Sequence, residues 1–97
     1  MTHHVVLVPL ELAIARVENR VEQGEHDVPT AKIRQRYERL WAHVADAVEH
    51  AHETFAYDNT SAARPFRLIA RLEHGRVVGT PDWPSWAPAE LRALTTA

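Results

Sequence analysis

The fold is decided by the stretch His4-Val5-Val6-Leu7-Val8-Pro9, a short apolar run that is closed by a proline. Most of the run is valine, a β-branched residue that favours strands. Its apolarity is continuous rather than alternating, which is typical of a strand buried on both faces in a parallel sheet. Pro9 cannot continue a strand ladder but suits the first turn of a helix. The run therefore predicts a buried strand that passes directly into a helix.

Two helices are predicted next, because the apolar residues now recur every three or four positions. Gly24 is expected to cap the first helix, and the second is predicted from residue 30 to about residue 52. At 1.5 Å per residue the second helix would be roughly 30 Å long. The first stripe is Leu10, Ile14, Val17 and Val21, and the second is Ile33, Tyr37, Leu40, Trp41, Val44, Val48 and Ala51.

The last part of the chain predicts strands and a docked tail. Residues 55–57 form a short strand that ends at the turn formers Asp58-Asn59-Thr60-Ser61. A further strand is predicted after Pro65, in which the apolar residues Phe66, Leu68, Ala70 and Leu72 share one face. His74-Gly75 is a two-residue turn signal, so this strand is predicted to form a hairpin with Arg76-Val77-Val78. Residues 81–97 are expected to be extended and held by Trp83 and Trp86, with a helical turn near residues 90–94.

This order of elements predicts an α/β fold with a right-handed parallel crossover. Parallel strands need cover on both faces, and two helices, a hairpin and a tail offer little material for that. We therefore expect these 97 residues to be part of a larger α/β domain.

Composition excludes several classes of protein. The chain contains no cysteine, which removes disulfide scaffolds, cysteine zinc sites and thiol nucleophiles. Its longest apolar run, residues 5–8, is far shorter than the ~20 residues that span a membrane. No secretory signal is recognisable, so a cytoplasmic protein with no membrane partner is expected. The net charge of -2 gives no general attraction to nucleic acid.

The basic residues are unusual, since ten are arginine and only Lys32 is lysine. Arginine presents a planar fork that grips phosphate, whereas lysine is a point charge. Five arginines flank the loop between the two helices: Arg16, Arg20, Arg34, Arg36 and Arg39. All of them except Arg34 lack an acidic partner one helical turn away. The pattern predicts a phosphate clamp. The alternative is that these arginines pair with distant carboxylates or lie in solvent.

A family resemblance is carried by the arginine-valine pairs, by Gly24-Glu25-His26-Asp27-Val28-Pro29 and by Ile33-Arg34-Gln35-Arg36-Tyr37-Glu38-Arg39. The chain resembles the C-terminal half of zeta-toxin-like P-loop kinases, also called predicted ABC-type ATPases. In that family a helix with arginine-valine pairs precedes a G-G-H-x-V-P loop and an I-x-R-R-[YF]-x-R-S segment. The later Tyr57-Asp58-Asn59 and Arg67-Leu68-Ile69-Ala70 are similar as well. The resemblance makes residues 4–83 the C-terminal half of a kinase domain and residues 84–97 a tail.

The resemblance implies a partial three-layer P-loop-kinase fold and ATP-dependent phosphoryl transfer to a hydroxyl, on a nucleotide sugar or another small molecule. It implies catalytic roles for Arg20, His26 and Arg36, with Arg34 beside Arg36. The predicted phosphate- or substrate-binding residues are Arg16, Arg34 and Arg39 of the arginine set, together with Asn59 at the end of the second strand. The resemblance also implies a toxin–antitoxin setting with an antitoxin as a partner. Three positions depart from the family pattern: Glu25, Gln35 and Leu40.

The main departure is the missing ATP-binding loop. The sequence contains no G-x-x-x-x-G-K-[ST], so it offers no cradle for the phosphates of ATP or for Mg²⁺. The family cofactors are therefore not expected to bind this chain alone, which would be inactive without a P-loop-containing N-terminal half. A truncated gene product is one explanation. The alternative function is a non-catalytic interaction module that dimerises or complements a separate P-loop half.

Other sites receive less support from the sequence. The seven histidines do not have the spacing of a zinc site, so no metal is predicted. Asp58-Asn59-Thr60-Ser61 would place ligand-binding groups at the carboxyl end of a parallel strand, with an Asx turn as the alternative. Trp83 and Trp86 are expected to anchor the tail, although tryptophan and proline can also form a partner surface.

Overall fold

The computed structural model describes residues 1–22 and 29–94, without the side chains of residues 20–22. The described residues form four strands and three helices. In chain order these are β1 (Thr2–Leu7), α1 (Leu10–Glu22), α2 (Thr30–His50), β2 (Glu53–Asp58), β3 (Arg67–Glu73), β4 (Arg76–Val78) and α3 (Ala89–Arg92).

The four strands form one mixed sheet in the order β1-β2-β3-β4. β1 and β2 are parallel and joined through α1 and α2, and the other two pairs are antiparallel. The predicted α/β class, the parallel crossover and the C-terminal hairpin are thus confirmed. Each depends on local signals, namely the change of apolar period and the turn at His74-Gly75.

Two contacts place the helices on the sheet. α1 begins directly after Pro9, whose carbonyl accepts a hydrogen bond of 3.0 Å from the Ala13 N–H. Farther on, the Tyr37 hydroxyl of α2 donates to the Val8 carbonyl at 2.7 Å. Since Tyr37 lies in the second turn of α2 and contacts the end of β1, the first turn of α2 lies beyond the sheet. α1 and the first turns of α2 therefore lie near the end at which β1 and β2 terminate, and α2 runs from there along the sheet to the β3–β4 turn, where Glu49 lies against Gly75.

The core lies between one face of the sheet and α2, and the tail closes it. Leu7, Leu72 and Val77 of the sheet are at most 2 % exposed, and Trp41 and Val48 of α2 pack on the same cluster. From the tail, Ala87 and Leu91 are buried in this cluster, and Trp83 and Trp86 pack against it. The prediction that the tryptophans hold the tail is confirmed, and its helical turn is α3.

The expectation that β1 is buried on both faces was wrong. Its residues alternate, so that Leu7 is fully buried whereas Val6 is 42 % exposed. α2 and the tail cover the face that carries Leu7, and nothing in the described ranges covers the other. The described residues consequently form two layers rather than the three that the kinase resemblance implied.

The predicted face of β3 was also wrong in part. The register shifts opposite Ala56 and Tyr57, which pair with Ala70 and Leu68, so Ile69 is an extra residue in the strand. Such a bulge breaks strict alternation. Ile69 and Ala70 are therefore both buried, while Leu68 is 53 % exposed. Phe66 precedes the strand, is exposed and has a φ of 51°.

The helix predictions need smaller corrections. α2 ends at His50, two residues before the predicted end, because Ala51 is extended and leads into β2. Leu40, which we assigned to the apolar stripe, is 47 % exposed. The predicted cap Gly24 and the Val21 side chain lie outside the described residues. Within the described part of the chain, no helix has the length and apolarity needed to cross a membrane.

Candidate functional site

The carboxyl ends of the two parallel strands lie side by side. Leu7 of β1 pairs in register with Asp58 of β2, and the Asn59 N–H donates to the Leu7 carbonyl at 3.0 Å. Open α/β sheets bind ligands outside this edge, where loops and helix ends meet. We refer to residues 58–67, which connect β2 to β3 at this edge, as the edge loop.

An ion-pair network fixes the two ends of the edge loop. Asp58 accepts hydrogen bonds from the Thr60 N–H at 2.9 Å, from the Thr60 hydroxyl and from Nη2 of Arg67 at 3.3 Å. Nη1 of Arg67 donates to Asp82 at 2.6 Å, which ties the tail to the same edge. Burial raises the pKa of Asp58, but the bonds from Thr60 and Arg67 outweigh burial, and its pKa lies below the ordinary value. Asp58 is therefore a structural carboxylate that remains ionised.

Side-chain bonds shape the rest of the edge loop. The Ser61 hydroxyl accepts hydrogen bonds from the N–H groups of Ala63 and Arg64 at 3.2 and 3.3 Å. The Asn59 amide oxygen accepts from the Phe66 N–H at 3.3 Å, next to the left-handed backbone of Phe66. The Asx turn that was the alternative at Asp58 is present, since its side chain bonds to the N–H two residues on.

The edge loop also borders a small cavity that is open to solvent. Its volume is about 210 Å³, and it is lined by Asp58, Thr60, Ser61, Arg64 and Arg67. Arg64 is exposed at this cavity, whereas the guanidinium of Arg67 is shared between two carboxylates. The cavity thus offers one exposed guanidinium and the Ser61 hydroxyl at the carboxyl edge, since the Thr60 hydroxyl donates its proton to Asp58.

Arg16 is the predicted site residue that reaches this edge. Its Nη2 donates to the Asn59 carbonyl at 3.1 Å, which brings together two residues of the predicted phosphate site. Arg16 is exposed, and a guanidinium has five N–H donors in a fixed fork. Donors not used on Asn59 can therefore reach an anion above the edge.

The arginines of α2 are distributed around the helix. Arg34, Arg36 and Arg39 are all exposed, and none makes a hydrogen bond or ion pair within the described part of the chain. Since consecutive residues are rotated by about 100°, Arg34 and Arg36 diverge by about 160° around the helix axis. Arg34 lines a shallow groove with Lys32, Gln35 and Glu38. One phosphate cannot contact both Arg34 and Arg36 without a change in the helix.

The remaining predicted residues are outside the description. The backbone of Arg20 belongs to α1, but its side chain is not described, and His26 lies in the undescribed segment 23–28. Their predicted catalytic roles stay predictions.

Sequence reasoning missed Arg64 and Arg67. Asp58 and Arg67 are directly paired across β2 and β3, so their ion pair follows from the hairpin register. The sequence signal for this ion pair was the acidic residue at the end of β2, Asp58, and the basic residue at the start of β3, Arg67. This signal predicts a contact only when the pairing register of β2 and β3 is known.

The described residues contain no group of three or more histidine or acidic side chains that could hold a metal ion. Comparisons of the chain with protein-family models, with curated proteins and with solved structures gave no match.

Proposed function

We propose that residues 4–83 are the C-terminal half of a zeta-toxin-like ATP-dependent phosphotransferase, and that this half binds a phosphoryl group at the carboxyl edge of its sheet. The acceptor would be a small molecule with a hydroxyl, such as a nucleotide sugar. The half would be inactive alone and would act together with a P-loop-bearing segment. An antitoxin is the further partner that the family resemblance suggests.

The observation that supports this proposal is the contact between Arg16 and Asn59. It places a cation from the first helix above the end of β2, where the edge loop adds Arg64 and Ser61. Guanidinium and hydroxyl groups are the donors that phosphate oxygens accept from. Asp58 remains ionised, and its charge is offset only in part, because Arg67 is shared between Asp58 and Asp82.

The residues present do not fit ATP itself. A P-loop needs glycines and a lysine between a strand and a helix N-terminus. Gly75 lies in the β3–β4 turn and Gly79 follows β4, and Lys32 lies on the exposed first turn of α2. No step through ATP or Mg²⁺ is therefore assigned to these residues, whose part is to bind and orient the phosphoryl group.

Calorimetric titration of the whole chain with pyrophosphate tests the proposal. We expect binding that Arg16→Ala weakens by about threefold to tenfold, because one charge-assisted contact is lost. Arg76→Ala is the matched control, since Arg76 is also an exposed arginine and lies in the hairpin at the opposite end of the sheet. Mg²⁺-ATP should bind no more tightly than pyrophosphate.

Two results would count against the proposal. Pyrophosphate that binds equally to the Arg16 and Arg76 variants would remove the carboxyl edge as the site. Turnover of ATP by the chain alone would contradict the claim that a P-loop segment must be added.

The open sheet face favours a second candidate function, an interaction module. The carbonyl groups of Met1 and Leu7 accept hydrogen bonds from the β2 side. In a strand, successive residues direct their backbone N–H and C=O groups to opposite sides, so the residues that alternate with these direct theirs away from β2. Val6 and Leu68 are exposed on the uncovered face. An unpaired edge beside an apolar face is suited to pairing with another strand, either from a second copy or from a P-loop half.

Light scattering of the purified chain tests this candidate. A module that pairs with itself through β1 predicts a dimer mass that Val6→Lys reduces to a monomer mass. Leu40→Lys is the matched control, because Leu40 is similarly exposed but lies on α2. A monomer at all concentrations would exclude self-pairing.

A further inference from the structure

The tail is joined to one end of the edge loop through Asp82. Its carboxylate accepts a hydrogen bond of 2.6 Å from Nη1 of Arg67, and its backbone N–H donates to the Ile69 carbonyl at 2.7 Å. Arg67 also lines the cavity at the carboxyl edge, together with Arg64. Asp82 therefore places a negative charge on an arginine that borders the candidate phosphate site.

The two carboxylates that share Arg67 differ in burial. The Asp58 side chain is 13 % exposed and accepts two hydrogen bonds from Thr60. The Asp82 side chain is 77 % exposed, and Arg67 is the partner that its carboxylate has within the described part of the chain. Exposed ion pairs contribute little to stability, because water competes for both partners. Asp82 is therefore the carboxylate that an anion can displace from Arg67.

The displacement requires the rotation of one side chain and leaves the tail in place. The backbone of Asp82 is held by its bond to Ile69, and the next residue, Trp83, packs against the core. An exposed side chain changes between staggered rotamers on a timescale of nanoseconds or less. Arg67 can thus exchange one carboxylate oxygen for a phosphate oxygen without a change in the sheet.

This exchange changes the charge that an anion meets at the carboxyl edge. The edge carries three guanidinium groups, those of Arg16, Arg64 and Arg67, and two carboxylates, Asp58 and Asp82. When the carboxylate of Asp82 turns toward solvent, Nη1 of Arg67 can donate to a phosphate oxygen. Guanidinium groups form short, charge-assisted hydrogen bonds with phosphate.

We propose that Asp82 is an internal competitor at the carboxyl edge, whose carboxylate occupies Nη1 of Arg67 until a bound phosphoryl group displaces it. The proposal rests on the phosphate site proposed above and concerns the regulation of that site. Asp82 lowers the affinity of the edge for anions. Arg67 becomes a third cation of the site only for a ligand whose other contacts offset the loss of this ion pair.

Calorimetric titration of the whole chain with pyrophosphate tests the proposal. Asp82→Asn should tighten binding by about twofold to fivefold, which corresponds to the loss of one competing exposed ion pair. Asp46→Asn is the matched control, since Asp46 is 76 % exposed and lies in the last turns of α2, toward the opposite end of the sheet. This control removes the same charge and should change the affinity by less than about 1.5-fold, because solvent screens distant charges.

A double-mutant cycle separates direct competition from general charge repulsion. In an Arg67→Gln background, Asp82→Asn should leave the affinity for pyrophosphate unchanged, because the contact through which Asp82 acts is absent. A gain in affinity that persists in that background would overturn the proposal, since Asp82 would then act through its charge alone.

Nuclear magnetic resonance of the unmodified chain gives a readout that needs no substitution at Arg67. On saturation with pyrophosphate, the carboxyl carbon signal of Asp82 should move toward that of a solvated aspartate. The indole N–H signal of Trp83 should stay in place, because the tail remains docked on the core. A carboxyl signal that does not move at saturation would overturn the proposed displacement.

The outcomes also separate this inference from the phosphate site on which it rests. Pyrophosphate binding that depends on Arg16 but is not tightened by Asp82→Asn would retain the site and exclude the competitor. Detectable binding by the Asp82→Asn chain alone would support both the site and the competitor. No binding by either chain would overturn both.

Discussion

The hairpin between β3 and β4 lies so close to α2 that adding one methyl group at Gly75 should cause a measurable loss of stability. Gly75 is buried and has a φ of +78°, and a Cβ at this position would lie 2.8 Å from Cα of Glu49. The neighbouring atom is backbone in the last turn of α2, so it cannot move aside as the end of a flexible side chain can. We therefore expect Gly75→Ala to be strongly destabilising.

The magnitude has three parts. The left-handed backbone costs a residue with a Cβ about 1–2 kcal/mol. The overlap with Glu49 adds about 1–3 kcal/mol, the usual cost of overpacking. Alanine also restricts the unfolded chain, which offsets about 0.4–1 kcal/mol. The free energy of unfolding should thus fall by about 3 kcal/mol, and Tm by more than 10 °C, at about 4–8 °C per kcal/mol for a domain of this size.

Gly79→Ala is the matched control. Gly79 has nearly the same φ, +75°, but no atom lies within 4 Å of the position of its Cβ. It should therefore carry the backbone cost alone, about 1 kcal/mol or less. Urea unfolding followed by circular dichroism measures both variants. Equal losses of stability in the two would refute the close packing of the hairpin on α2.

Further predictions concern burial and charge. Leu72→Ala should cost about 2–5 kcal/mol, whereas Leu68→Ala should change stability by less than about 0.5 kcal/mol, because the bulge buries the first and exposes the second; equal costs in urea unfolding would place both on one face. Since the pKa of Asp58 is lowered below its ordinary value of 3.8, its contribution to stability is present above that pH and lost as pH falls through the folded pKa. Asp58→Asn should therefore flatten the acid limb of the stability curve, and an unchanged limb would contradict the network. The pKa of His50 is raised, first by its bond to the Asp46 carbonyl and then by the Asp46 carboxylate, so Asp46→Asn should lower it only in part in a proton magnetic resonance titration.

The elements that could be predicted from sequence are those with local causes. The change from a continuous apolar run to a three-and-four spacing sets β1 and α1, and His74-Gly75 supplies the positive φ values that its hairpin requires. Both signals involve residues only a few positions apart. The predicted ends of the elements were less accurate, since α2 ends at His50 and not near residue 52.

Which face of the sheet is covered could not be predicted, because it depends on distant residues. Val6 and Leu7 are both apolar neighbours, yet one is exposed and the other buried. The difference arises from α2 and the tail, which cover a single face. The bulge at Ile69 could not be predicted either, since a one-residue register shift depends on the pairing of β3 with β2 and not on the sequence of one strand.

The candidate site was predictable in the same limited sense. Asn59 was identified by its position after a strand, and Arg16 by its lack of a helical partner, but their contact spans 43 positions. The divergence of Arg34 and Arg36 is fixed by helix geometry, so it could have been anticipated from their spacing. The ion pair between Asp58 and Arg67 required the register of β2 and β3.

The most direct test of the account is a map of backbone amide shifts in the whole chain during titration with pyrophosphate. If the carboxyl edge binds phosphoryl groups, the largest shifts should lie at Asn59, Thr60 and Arg64 and around Arg16, and Arg16→Ala should reduce them. Amides of the β3–β4 turn at the other end of the sheet should stay unchanged. Shifts concentrated in that turn, or spread evenly over exposed arginines, would contradict the assignment of a phosphate site to this edge.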